Sequence, residues 1–422
     1  MEAPIFIAEL ELTAPIADIK LPERADGSSY NGVHLMARLQ RVPVGYVFLP
    51  PDATDSAAIA RQVWEQLSSA INARYARAGL PAVATLPAAG LAATDALDFE
   101  PGNCPMMTIV VCTRDHPDTV LNTLRSLMAV EYEPFEVVLV DNAPSSEATK
   151  EAVLAAYGHE PRVRYVREPR PGLSCARNRG LVEAAADIVV FTDDDVVVDP
   201  WWLHGILRGF RAAPDVSCVT GLVATAQLEN AQQLYFHLRE AWGTVCERRV
   251  FDLTENRDDS PLYPYSPGIF GAGANFAVTR PLMKEIGEFN EALGAGTVSG
   301  GGEDLEIFMR IILSGNRIVY EPAAIVSHFH RIDPAELADQ MRRYGTGCTA
   351  ALAAVVLRVP RARRELPARV VRGALRILTL NDRVKDNESL PTGLMSTEIR
   401  GLLVGPLLYL KARRLLKRRA VA

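Results

Sequence analysis

The chain is expected to fold as an α/β protein built on a doubly wound mixed sheet, with an N-terminal β-rich accessory domain and a C-terminal helical tail. Three observations carry that expectation. Between Met106 and Asp195, apolar strand-like runs alternate with helix-like runs, the pattern of a sheet covered on both faces. Before them come short alternating stretches, such as Ile5–Leu12 and Val44–Leu49, with the turn signals DGSS (26–29) and PPD (50–52). From about Pro334 the chain is helical in pattern and increasingly basic. The domains therefore read as 1–100, 101–335 and 336–422.

In the first region a helix is expected over Ser56–Ala78, with Ile59, Val63, Trp64, Leu67 and Ile71 at helical spacing, followed by an Ala/Pro/Gly-rich linker over 80–102. In the second, the strands are MTIVVCT (107–113), FEVVLVD (135–141), VRYVRE (163–168) and DIVVFTDDD (187–195). The helices between them span 118–130, 145–157 and 173–186. In such sheets ligands bind beyond the carboxyl ends of the strands. Those ends carry Thr113-Arg114-Asp115, Asp141-Asn142 and Asp193-Asp194-Asp195. A helix is expected over 227–245, and two short strands within IVYEPAAIVSHFHR (318–331).

Composition narrows the function. At 48% hydrophobic and 23% charged, the 422 residues are those of a globular protein. The net charge of −6 is uneven: after residue 356 there are 16 Lys and Arg against 5 Asp and Glu, so the first 356 residues carry −17. An acidic body argues against nucleic acid, and a basic tail suggests an anionic surface. The six cysteines lie far apart without a CxxC pair, which fits neither a zinc framework nor a disulfide scaffold. The N-terminus has acids where a signal peptide has basic residues, and the apolar run 401–410, broken by Pro406, is about half a membrane span. A cytoplasmic setting is expected, and 39 Arg to 6 Lys suggests a high-GC bacterium.

Four motifs carry chemistry. In FTDDDVVVDP (191–200), three adjacent carboxylates need a cation to stay ionised together, and Mg²⁺ or Mn²⁺ suits oxygen ligands. Strand alternation puts Asp193 and Asp195 on one side, the metal side, and Asp194 on the other. A solvated acidic turn is the alternative, but the flanks are apolar. In GGEDLE (301–306), Glu303 and Asp304 sit in the first turn of a helix, where carboxylates either complement the dipole or act as a general base. In SHFHR (327–331), His328 and His330 are two apart, and one imidazole can join two aspartates on a cation. In RPGLSCARNRG (170–180), Arg177 and Arg179 near a helix start suit phosphate. The small residues of GAGANF (271–276) permit close approach by a ligand. Neither GxGxxG nor a P-loop is present.

Taken in order, TIVVCTRDHPDTVLNTLRSL, VVLVDNAPSS, GLSCARNRG, FTDDDV, GAGANFAVTR, GGEDLE and SHFHR resemble family 2 glycosyltransferases with the GT-A fold, over about residues 105–335. The separation of Asp304 from His328 is similar to that in galactofuranosyltransferase-type members. The resemblance implies an inverting, Mg²⁺- or Mn²⁺-dependent transferase that moves a sugar from a nucleotide-diphospho sugar to an acceptor hydroxyl. It implies that Thr113 and Asp141 contact the nucleobase and ribose, with Arg114, Arg177 and Asp194 also on the donor. It further implies that Asp193, Asp195 and His328 hold the metal, and that Asp304 is the base with Glu303 beside it. A sugar-nucleotide pyrophosphorylase and a non-catalytic sugar or nucleotide binder are the alternatives. The first is disfavoured because TRDHPDT after the first strand lacks glycine and lysine; the second because all the acids are present. For Ile399–Arg419 two readings stand: a basic interfacial helix making peripheral membrane contact, or a helix docked on the acidic body.

Overall fold

Residues 1–95, 102–266, 268–366, 369, 390–391 and 393–419 are described by the structure, a computed structural model. Two sheets organise them. In the first, β1 (Phe6–Glu11) pairs parallel with β2 (Val33–Leu39), which pairs antiparallel with β3 (Val42–Leu49). The helix α1 (Ser56–Arg77) covers this sheet through Ile59, Val63, Leu67, Ile71 and Tyr75, buried at four-residue spacing. Asp55 caps it, accepting from the N–H groups of Ala57 and Ala58 at 3.1 and 2.9 Å. The expected linker is packed over its first part: Leu86 and Leu91 are buried in the same core, and the Leu91 N–H donates to the Leu12 carbonyl at 2.7 Å. Residues 96–101 of that stretch lie outside the described residues.

The second sheet begins with the expected alternation: β4 (Met107–Thr113), α2 (Pro117–Met128), β5 (Phe135–Asn142), α3 (Ala148–Tyr157), β6 (Val163–Glu168), α4 (Leu173–Glu183) and β7 (Ile188–Asp193). It continues through β8 (Val196–Val198), α5 (Trp202–Phe210), β9 (Val216–Thr225), α6 (Ala231–Arg239), β10 (Arg249–Phe251), β11 (Asn275–Thr279), α7 (Arg280–Ile286), α8 (Glu303–Leu313) and β12 (Arg317–His328). The strand order is β10-β12-β9-β11-β7-β4-β5-β6, with β8 paired to β12. The sheet is mixed: β7, β4, β5 and β6 run parallel, while β11 is antiparallel to both β7 and β9. Alternation along β4 sends Met107, Ile109 and Val111 into one core with Leu124 of α2 and Trp202 of α5. Val110 goes to the opposite core with Ala176 of α4 and Ile307 of α8.

Three expectations differ from the structure. The helix over 227–245 is only nine residues, α6, which starts where the Asn230 side chain accepts from the Gln233 N–H at 3.0 Å; a short turn follows at Ala241–Thr244. The two strands in 318–331 are one, β12, whose pairing with β9 slips between Glu321 and Ile325, where Pro322 cannot donate to a ladder. Pro406 does not break the tail. After α9 (Pro334–Arg358), the last helix, α10 (Leu394–Arg419), runs straight through it. The Leu402 carbonyl, which loses its helical donor to the proline, accepts instead from the Thr349 hydroxyl of α9 at 2.8 Å. The two helices meet backbone to backbone: a Cβ on Gly345 would lie 2.1 Å from the Glu398 carbonyl oxygen, and one on Gly401 2.5 Å from that of Arg342. Among the described residues no helix is long and apolar enough to cross a membrane.

Candidate metal and donor site

Parallel pairing brings the sequence-distant polar groups together. Thr113 is opposite Asp141, and Cys112 is opposite Asp193, so the ends of β4, β5 and β7 form one rim. The third contribution comes from β12. Its antiparallel pairing with β8 sets His328 against Val196, and the Phe329 N–H donates to the Asp195 carbonyl at 3.2 Å. His328 Nε2 thereby lies 3.1 Å from Asp195 Oδ1 and 4.0 Å from Asp193 Oδ2. Asp193, Asp195 and His328 each offer a ligand atom within 4.8 Å of the others.

The charges in this trio are strained in a way that suits a cation. Burial, and then the neighbouring Asp195, push the Asp193 carboxyl up to about 6. For Asp195, burial is outweighed by His328, and its carboxyl is held below the usual range. Burial disfavours the His328 imidazolium, but Asp195 and Asp193 outweigh it and raise the ring overall. A proton on the ring does in part what a divalent cation does more fully. The two carboxylates and one imidazole match the donor preferences of Mn²⁺ or Mg²⁺, so the residues fit such an ion. His330 does not join the trio. Its ring stacks 5.4 Å from His328, and its Nε2 is 3.2 Å from the Thr225 hydroxyl.

Asp194 turns away, as alternation requires. Its Oδ2 accepts from the Thr113 hydroxyl at 2.5 Å and lies 3.1 Å from His116 Nδ1. That hydrogen bond raises the His116 pKa. Asp141 is fully buried; Oδ2 accepts from the Tyr165 hydroxyl at 2.8 Å, while Oδ1 has no partner among the described residues. Burial raises its pKa. Arg114 is half exposed and lies 3.6 Å from Asp115.

Arg177 corrects the sequence expectation. It does not face open space for a phosphate: its guanidinium is 3% exposed, donates to Glu303 Oε1 at 2.9 Å and to the Gly273 carbonyl at 3.0 Å, and lies 3.8 Å from Asp193. Being on the inner face of α4, it is a strut between the α8 carboxylate and the end of β7. Arg179, by contrast, pairs with Glu183 at the surface. Glu303 is correspondingly sealed, and burial pushes its carboxyl up to about 7 despite Arg177. Asp304, next in α8, is only half-buried and accepts from the Gly273 N–H at 2.9 Å. The bare face of Gly273 is therefore occupied by the site itself, since a Cβ there would lie 2.9 Å from Asp304 Oδ2.

Sequence reasoning missed His116 and Arg331. Arg331, the last residue of SHFHR, lies 3.8 Å from Asp195, three residues beyond His328. Tyr263, Tyr265 and Phe270, on the loop before β11, are buried in the core rather than open to the site.

Residues 108–272 match the sequence model described as glycosyl transferase family 2. The chain carries a family 2 glycosyltransferase domain. Its doubly wound mixed sheet, small N-terminal sheet and C-terminal helices make the GT-A-like architecture that the motifs implied. The domain is similar to the pre-mycofactocin glycosyltransferase of Mycobacterium tuberculosis, 26% identical over 249 residues, 58% of this chain and 47% of that protein. It is also similar to the glucosyl-dolichyl phosphate glucuronosyltransferase of Haloferax volcanii, 24% identical over 229 residues, 53% of this chain and 68% of that one. The chain thus spans about half the length of the first relative. Among solved structures, a Pyrobaculum calidifontis mannosyltransferase in complex with GDP-Man and Mn²⁺ aligns with 83% of this chain and 98% of its own, with a TM-score of 0.49 and 17% identity.

Proposed function

We propose that the family 2 domain is an inverting, metal-dependent transferase that moves a sugar from a nucleotide-diphospho sugar to an acceptor hydroxyl. The observation that carries the reading is the convergence of Asp193, Asp195 and His328 on one side of the site and Asp304 on the other, with Arg177 reaching from Asp193 to Glu303. Asp193, Asp195 and His328 would hold Mn²⁺ or Mg²⁺. When bound, such a cation supplies neutralisation of the charge on the leaving diphosphate.

The remaining work falls to the chain's own groups. Asp304 takes the proton from the acceptor hydroxyl, whose oxygen bonds to the anomeric carbon from the face opposite the diphosphate. The glycosidic bond to the diphosphate breaks, and the nucleoside diphosphate leaves with the electron pair. The free, buried Oδ1 of Asp141 suits a nucleobase or ribose donor, with Thr113, Asp194 and Arg114 lining the same rim. Arg177 and Glu303 position the site and do not touch the donor. Incubation with UDP-, GDP- and dTDP-sugars and Mn²⁺ tests the reading, as metal-dependent donor hydrolysis is expected with one of them. Asp304→Asn should bind that donor normally while transfer falls about 10²–10⁴-fold; near-normal turnover would move the base elsewhere.

The reading extends to the tail. One face of α10 is docked on α9, but Leu403 and Leu407 on another are 75% and 68% exposed, with Ile399, Val404 and Leu410 also open to solvent. Arg400, Lys411 and Arg414 lie on the same helix. Exposed leucines among cations suit peripheral contact with an anionic leaflet on the cytoplasmic side. The name of the Haloferax relative, which includes a dolichyl phosphate, supports a lipid-linked acceptor.

A further inference from the structure

The helix α9 lies beyond the stretch that matches the family 2 model, yet it is packed against the site. Its Gly347 meets the loop that leads into α8, since a Cβ on Gly302 would lie 2.2 Å from the Gly347 carbonyl oxygen. The Thr346 hydroxyl donates to the Ser299 carbonyl of the same loop at 2.8 Å. These contacts hold α9 against the start of the helix that carries Asp304. About one turn earlier, α9 carries Tyr344, a large ring left 37% open to solvent.

Three helices fix that ring. Phe236 of α6 meets it edge-to-face, with centroids 5.8 Å apart, and the Arg239 guanidinium lies 5.7 Å from its centre. Arg239 is itself held by Glu240 at 2.7 Å and by Glu398 of α10. Burial, and then the charge of Glu240, push the Tyr344 hydroxyl well above its ordinary range, and the charges of Asp304 and Asp193 add to the effect. A ring that feels both the base and a metal-side carboxylate, and is still reached by solvent, stands in the mouth that an acceptor must enter.

The chemistry around the ring selects the acceptor class. A pyranose presents a face of C–H groups and a rim of hydroxyls. The face suits the negative face of an aromatic ring, and the rim suits a carboxylate and a guanidinium such as Glu240 and Arg239. The acids around Tyr344 disfavour an anionic group against it. We infer that Tyr344 is the platform of an acceptor subsite for a pyranoside, stacking the sugar so that one of its hydroxyls reaches Asp304. The role of Asp304 here rests on the transfer reading above, but seating the sugar requires neither donor nor metal.

The test is saturation-transfer NMR on the full chain in EDTA, without donor. The probes are methyl glucoside, methyl galactoside and methyl mannoside, with glycerol as a polyol that has no ring. Saturable binding of at least one glycoside is expected, with transfer strongest to the C–H protons of one ring face and none to glycerol. Tyr344→Leu keeps apolar bulk against Phe236 and should weaken binding by about tenfold, while Tyr344→Phe keeps the platform and should bind as the parent does. Three results overturn the proposal: no binding of any of the glycosides, transfer spread evenly around the sugar ring, or parental affinity in Tyr344→Leu. The second is read on the parent chain alone, so it decides even where a variant fails to fold. Donor hydrolysis in Mn²⁺ tests the transfer reading separately, so either reading can fail without the other.

Discussion

Replacing Arg177 with methionine separates two accounts of this residue. In the structure it is a buried strut, 3% exposed, 2.9 Å from Glu303 and 3.8 Å from Asp193. Methionine keeps much of the volume and removes the charge, leaving the Glu303 carboxylate buried without its cation and the partly exposed Asp193 without a neighbouring one. Breaking a buried pair in this way costs about 3–5 kcal/mol. At about 2–4 °C per kcal/mol for a domain of this size, the expected fall in Tm is about 6–20 °C. The deficit should depend on pH with a definite sign. Without Arg177, the Glu303 carboxyl, already pushed up to about 7 by burial, rises further, so folding takes up a proton. Stability of the variant relative to the parent is therefore worst above neutral pH and recovers as pH falls toward the ordinary carboxyl range. Adding Glu303→Gln should recover part of the loss at high pH, since it removes one of the stranded charges. Thermal unfolding by circular dichroism at two pH values, on the four members of the cycle, gives these numbers. A variant with parental Tm but weakened nucleotide binding in Mn²⁺ would refute the strut and restore the phosphate contact that the sequence suggested.

Three further outcomes are expected. Asp195→Ala should lower nucleotide affinity in Mn²⁺ by at least about 10²-fold, more than the loss of an outer partner costs, with affinity in EDTA unchanged; calorimetry showing parental Mn²⁺-dependent affinity would displace the metal assignment. Because a cation must expel protons from Asp193, whose carboxyl is pushed up to about 6, and from His328, which is raised, metal affinity should fall as pH drops through this range. The slope is about tenfold per pH unit for each proton, and a flat Mn²⁺ titration would count against the trio. Finally, Leu403→Glu/Leu407→Glu removes two exposed leucines worth about 1.5–3 kcal/mol each on burial, so binding to anionic liposomes should fall by about 10²-fold or more; equal co-sedimentation of parent and variant excludes α10 as the contact.

The parallel part of the fold was legible because its period is local. β4, β5, β6 and β7 are apolar runs bounded by polar turns, and the expected bounds match those observed to within about two residues. β9 was not singled out as a strand, and β12 reads as two strands because Pro322 interrupts the pattern; only the pairing of both halves with β9 makes it one. The grouping of Asp193, Asp195 and His328 was legible for a similar reason. Alternation separates Asp193 and Asp195 from Asp194 within three residues, and the family resemblance supplies His328. Arg177 was misread because the preference of arginine for phosphate is also its preference for carboxylate. The deciding quantity is its burial, which depends on the first turn of α8 bringing Glu303 to α4, a contact 126 residues away in sequence.

The same tertiary contact explains why two adjacent acids in α8 are suited to different work. Glu303 and Asp304 are about 100° apart around the helix, so one turns inward when the other faces the mouth. Glu303 meets Arg177 in a sealed space, where its charge is compensated and no hydroxyl can reach it. Asp304 is half-buried, and the two N–H groups it accepts from, Gly273 at 2.9 Å on Oδ2 and Leu305 at 2.8 Å on Oδ1, fix the carboxylate plane. Each oxygen keeps a further lone pair, so the group is oriented without being used up. An oriented carboxylate at the rim, backed by a neutralised one behind it, is the arrangement a general base needs.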